Sequence, residues 1–366
     1  MRKLTKIVFV LILLVAVSAI FPAAVHALGL VETITMKKFG GYYGMAYDSA
    51  RGEIFLANGD FDLVYVVSDA TNKVVSTIPV GRVPYGVAYN SGKGEIFVCN
   101  HNSDSVSVIS DSNNTVVATI MVGNAPSAVA YDSSMGKVYV ANYNSSSISV
   151  ISDSTHTVIA NVTVGTQPCA LAYDSETGEI FVGHADSSLV AVISDVTDSV
   201  VANITVENQP LSLAYDSGKG EIYVANYNSN TISVISDRTD QIVATIEVGD
   251  SPNCVVYDSK NSLIYVNTFN STSLVALADS NYTVIANQTL NKQPQAMVYD
   301  SGKDEIFVAY SESSHVSVFS SSIESPLPSP AEPESKNDIF LYAVVASAIF
   351  ASVAVGLAVK KFCQKP

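Results

Sequence analysis

A tyrosine followed by aspartate or asparagine returns every 42 residues along this chain, at Tyr47, Tyr89, Tyr131, Tyr173, Tyr215, Tyr257 and Tyr299. No copy carries an insertion. A second aromatic keeps the same period at Phe55, Phe97, Tyr139, Phe181, Tyr223, Tyr265 and Phe307, and a proline does so at Pro84, Pro126, Pro168, Pro210, Pro252 and Pro294. Two markers held in step over seven copies, and a third over six, mean that one supersecondary unit is built seven times. Such a unit buries its apolar faces only against its neighbours.

The third copy shows what the unit is. Ser127–Tyr131, Lys137–Asn142, Ser147–Ser152 and Thr157–Val164 are short and rich in Val, Ile and Tyr. Turn residues bound each of them, at Asp132–Gly136, Tyr143–Ser146, Asp153–His156 and Gly165–Pro168. These are strand and turn signals, and no helix-length 3.6-residue pattern interrupts them. Four strands in 42 residues make a propeller blade. The expected fold is therefore all-β, a seven-bladed β-propeller of four-stranded blades over residues 28–320. The last copy supplies only three strands, whereas Val31–Met36 reads as a lone strand ahead of the first copy. That strand is expected to complete the seventh blade, which closes the ring and removes an open sheet edge.

The two ends read as addresses. Residues 1–27 join a basic start (Arg2, Lys3, Lys6) to an apolar stretch, Ile7–Ile20, and to small residues around Val25-His26-Ala27. This is the pattern of a secretory signal peptide cleaved before Leu28, with an uncleaved anchor as the alternative. Ile339–Val359 is an uncharged apolar run of 21 residues, long enough to cross a bilayer as one C-terminal transmembrane helix. Lys360, Lys361 and Lys365 follow in a tail, 360–366, that the positive-inside rule places in the cytoplasm. Between fold and span, residues 321–338 carry Pro326, Pro328, Pro330 and Pro333 among Ser and Glu, the composition of a semi-extended stalk. The propeller is thus expected outside the cell, on a single-pass membrane anchor.

Charge narrows the partners. Between Leu28 and Ser320, 12 Lys and Arg stand against 30 Asp and Glu, a net charge of −18. Nothing there neutralises phosphates, so a nucleic-acid partner is excluded. Cys99, Cys169 and Cys254 lie in the repeats and Cys363 in the tail, with no close spacing. That is neither a disulfide framework nor a zinc pattern. The three are expected to be buried thiols, since a Cys169–Cys254 bridge would have to join blades two apart. No haem-attachment, nucleophile-elbow or calcium-loop motif occurs, and no metal or cofactor is expected.

The second strand and the loop after it read Val138-Tyr139-Val140-Ala141-Asn142-Tyr143-Asn144, and again Ile222-Tyr223-Val224-Ala225-Asn226-Tyr227-Asn228. With the preceding Gly-x-x-Pro loop and the Ile148–Asp153 stretch, this resembles the YVTN-family β-propeller repeat over about residues 30–320. The resemblance implies a propeller of the kind found in archaeal surface-layer proteins and exported bacterial relatives. Ala141 and Ala225 stand in the Thr place of the motif, and His184, Thr268 and Tyr310 in its Asn place.

In a propeller, the loops from strand four to strand one and from strand two to strand three share one face. That face is the expected ligand site. Asn58, Asn100, Asn142, His184, Asn226, Thr268 and Tyr310 are expected around its mouth, with Asp60, Asp62, His101, His184 and Asp186 as the main departures in these loops. The competing and stronger reading is that these asparagines cap strand ends and satisfy loop amides. The opposite face gathers turn aspartates such as Asp48, Asp132 and Asp153, which suit calcium by charge but suit turn formation better, because Asn90 replaces one of them. Asn-x-Ser/Thr sequons at Asn113, Asn144, Asn161, Asn203, Asn270, Asn281 and Asn287 mark candidate glycosylation sites, three of them in phase on the outermost strand.

Export, stalk, anchor and acidity together point to a non-catalytic module for surface display or adhesion, with other surface proteins or glycans as partners. The alternative is an exported lactonase-like hydrolase with its site at the channel mouth. It requires carboxylates or imidazoles converging there.

Overall fold

The computed structural model describes residues 28–322. The expected signal peptide, transmembrane helix and tail lie outside the described residues, as does the stalk beyond Ser322. Among the described residues no helix is long and apolar enough to cross a membrane.

Seven four-stranded antiparallel sheets follow one another around a central channel. In the third blade the strands are Pro126–Asp132, Lys137–Asn142, Ser147–Ser152 and Thr157–Thr163, from the axis outward. Each innermost strand begins at the proline, one residue earlier than the turn chemistry suggests. Proline is tolerated as the first residue of a strand. In the first blade Tyr42 takes the proline's place, fully buried, and its hydroxyl donates to the Lys38 carbonyl at 2.9 Å.

The seventh sheet closes the ring as expected: Leu30–Gly40 pairs antiparallel with Ser313–Ser320, Ile34 opposite Val316 and Thr35 opposite His315. The closing strand is longer than Val31–Met36, because pairing resumes at Gly40 opposite Ser313 beyond an irregularity. Ile34 and Met36 anchor it, at 4% and 3% exposure.

Burial explains the repeat. Second strands are buried at nearly every position, since both faces are covered by neighbouring blades. One cluster joins Tyr139, Ile148 and Val150 of the third blade to Ile180, Val182 and Ile193 of the fourth, and the other blades pair likewise. Each such side chain contributes about 1.5–3 kcal/mol by leaving water. Outermost strands alternate between exposed and half-buried, as expected of a sheet edge in solvent.

The turn reading holds for the aspartates of the first turn. Asp132 Oδ1 accepts from the amides of Ser134 and Met135 at 2.9 and 3.0 Å, and Asn90 Oδ1 does the same for Gly92 and Lys93. Asx turns of this kind need an acceptor oxygen, not a charge.

Candidate functional site

Both loop sets do lie on one face, and backbone bonds tie them together. The His101 amide donates to Val83 O at 2.9 Å, and Tyr143 N to Ala125 O at 3.0 Å. Val83 and Ala125 precede prolines yet have φ of +52° and +56°. Left-handed backbone is costly there, above all for β-branched Val83. Side chains hold it: Asp62 Oδ1 accepts from Val83 N at 2.8 Å and Asp104 Oδ1 from Ala125 N at 2.9 Å.

The asparagines expected at the mouth are not there. Asn58, Asn100, Asn142, His184 and Asn226 are all 0% exposed. Asn142 Nδ2 donates to Ser147 Oγ and Ser149 Oγ at 3.2 and 3.0 Å, and Asn100 and Asn226 repeat this with the hydroxyls of their own third strands. The glycine of the Gly-x-x-Pro loop lies flat on this amide: a Cβ at Gly81 or Gly123 would collide with Asn100 or Asn142. Strand-end capping thus accounts for the repeated Asn and for the repeated Gly. His184 occupies the same place, its Nδ1 3.2 Å from Leu189 O, and burial lowers its pKa, which favours the neutral ring.

Three other candidates stay at the surface of this face. Asp60 and Asp186 are exposed; Asp60 accepts from Gly41 N at 2.7 Å and Asp186 from Thr166 Oγ1 at 2.6 Å. His101 opens a single 3-10 turn, His101–Ser103, and stands between Tyr85 and Tyr143, with centroids 5.6 and 6.3 Å away.

What fills the mouth is the residue after each proline. In every blade the innermost strand carries a register irregularity at this point, for instance between Pro126 and Ala128. Such a bulge leaves one residue out of the ladder and re-aims its side chain. The seven residues so released are Tyr43, Tyr85, Ser127, Cys169, Leu211, Asn253 and Gln295, and all of them line one cavity of about 320 Å³ in the channel. The next position is always small (Gly44, Gly86, Ala128, Ala170, Ser212, Cys254, Ala296), since the strands crowd near the axis and a Cβ at Gly44 would strike the Tyr85 carbonyl. The ring is thus the place where the repeat stops repeating while the backbone stays equivalent. Its signal was present in the chain as variation at one fixed phase of the period.

The ring is ordered by its neighbours. Ser127 Oγ, Cys169 Sγ and Asn253 Nδ2 donate to the proline carbonyl of the following blade, at 3.1, 3.4 and 2.9 Å. Tyr43 and Tyr85 stack, and burial, with Tyr43 and Cys169 nearby, pushes the Tyr85 hydroxyl up to about 12. Cys99, Cys169 and Cys254 are free, and burial pushes the thiols of Cys169 and Cys254 up to about 12 and about 11, away from the reactive thiolate. No carboxylate and no imidazole lines the cavity.

The seven sequon asparagines all lie on the surface. Asn161, Asn203 and Asn287 sit on outermost strands, Asn144 and Asn270 on the face of the ring, and Asn113 and Asn281 in turns of the opposite face.

A family model described as YNCE-like beta-propeller matches residues 114–331. No curated protein matches the chain. Among solved structures, a chain titled "Kuenenia stuttgartiensis Hydrazine Synthase" is similar, with a TM-score of 0.71 at 17% identity, covering 79% of this chain and 98% of that one. At that identity the likeness is one of fold.

Proposed function

The chain belongs to the YNCE-like β-propeller family, and from that premise we propose that it is a non-catalytic binding module displayed at the cell surface. The anchor pattern in residues 339–359 and the export pattern in residues 1–27 support the location. One observation carries the binding role: seven equivalent backbone positions around the channel mouth bear six different side chains, while the positions before and after them keep to type. Strand geometry demands uniformity where blades pack. It demands nothing of a residue that a bulge has turned into an open channel, so variety there serves recognition. The cavity offers no acid, base or activated nucleophile, which favours binding over hydrolysis.

The test uses cells carrying the full chain. Surface biotinylation of intact cells should label it, and adhesion to partner cells or extracted glycans should depend on the ring. Leu211→Trp fills the channel without touching the blade cores and should abolish adhesion. A chain shielded from the label, or adhesion unchanged in this variant, would overturn the reading.

A further inference from the structure

We propose that the channel mouth receives one uncharged, hydroxylated ring, the terminal neutral sugar of a glycan. The proposal rests on the binding reading above and adds the chemical class of the ligand. Charge is the first argument. None of the residues bounding the cavity carries a formal charge, although the domain as a whole carries −18. An ionic ligand seated there would meet no counter-charge, and an unpaired charge out of water is expensive. Size is the second. About 320 Å³ lies at the low end of small-molecule sites, which span roughly 300–1,000 Å³. It suits one ring and not a folded chain.

The third argument is the chemistry of the wall. Tyr43, Tyr85, Asn253 and Gln295 bring hydroxyls and amides to one rim, while Leu211 adds an apolar patch. Asn253 spends its Nδ2 on Pro294 O, which leaves Oδ1 buried without a partner. Half-buried Gln295 on the same wall brings the amide that would meet a ligand hydroxyl. The stacked pair Tyr43–Tyr85 holds its rings in place before any ligand arrives, so little ordering is needed on binding. Outward from the cavity, Tyr85, His101 and Tyr143 follow in series and offer a path for the next unit of the glycan. Exposed Asp60 and Asp186 on this face repel acidic sugars.

The experiment is a titration of the full chain, purified in a non-glycosidic detergent and followed by saturation-transfer NMR. The probes are methyl α-mannoside, methyl β-galactoside and N-acetylglucosamine, against sialyllactose, tetramethylammonium and inorganic phosphate. At least one neutral sugar should bind and the charged probes should not. Gln295→Ala should weaken binding about tenfold, and Leu211→Trp should abolish it. Binding of a charged probe at the mouth, sugar binding that survives Leu211→Trp, or failure of all three neutral probes would overturn the proposal. If the neutral probes fail while Leu211→Trp still loses adhesion, the sugar class falls and the binding module stands. Adhesion intact in that variant overturns both.

Discussion

Tyr43 and Tyr85 lie face to face at the channel mouth, with ring centroids 4.6 Å apart and planes within 13° of parallel. They hold the same repeat position in neighbouring blades, 42 residues apart in the chain. Tyr43 also lies against Gly59, where a Cβ would overlap its ring. Two rings thus form a stiff wall on one side of an otherwise mixed ring.

Tyr85→Ala should therefore cost about 1–3 kcal/mol, from the lost stack and lost burial. Tyr85→Phe keeps both and should cost much less. Urea unfolding of the two variants checks the difference.

The Tyr85 carbonyl also limits its neighbour. Gly44→Ala places a Cβ against that backbone oxygen, and backbone in a closed ring has little room to yield. A loss of about 1–3 kcal/mol is expected, as for overpacking elsewhere. Gly29→Ala, with open space around it, should be neutral in the same unfolding assay.

Asn142→Ala separates capping from ligand binding. It removes two hydrogen bonds, to Ser147 Oγ and to the buried Ser149 Oγ. Stability should fall by about 1–3 kcal/mol, with binding at the mouth unchanged. A binding loss at full stability would return the asparagines to the site.

Ring closure should dominate global stability. Deleting residues 30–40 uncovers the edge of Ser313–Ser320 and removes buried Ile34 and Met36. Calorimetry should show a clear drop in melting temperature. Ile34→Ala alone should cost about 2–5 kcal/mol if the site cannot collapse.

Mild acid should stabilise the fold. Burial first, then Asp132, raises the pKa of Asp195; burial, then Asp174 and Glu176, raises that of Asp237; burial, then Asp240, raises that of Glu179. A folded pKa above the unfolded one means that the native state holds more protons. The stabilising contribution is then complete below the ordinary carboxylate value and is lost as pH rises through the raised one. Asp304 runs the other way: burial raises it, but hydrogen bonds from Ser321, Lys260 and Tyr299 outweigh that, so its contribution is lost only in stronger acid. Melting temperature should rise from about pH 7 to about pH 5, and Asp237→Asn should flatten the slope.

Some contacts across blades were beyond the reach of the repeat. Glu95 meets His156 at 3.0 Å, Lys137 meets Asp198 at 2.9 Å, and the Tyr282 hydroxyl meets Glu221 at 2.7 Å. Each pair sits 61 residues apart, which is no multiple of the period. Blade packing alone creates the spacing.

Local chemistry in the sequence determined the blade count, the four strands, the turn aspartates and the closing strand. Those features rest on short Val, Ile and Tyr runs and on turn hydrogen bonds, which a short window of residues expresses. The direction of the side chains at the mouth was a matter for the tertiary structure. Strict alternation fails at the bulge after each proline, so nothing local says that Ser127 faces the channel while Asn142, opposite Pro126, turns into the blade. The neighbouring blade's proline carbonyl, 3.1 Å from Ser127 Oγ, helps to decide it.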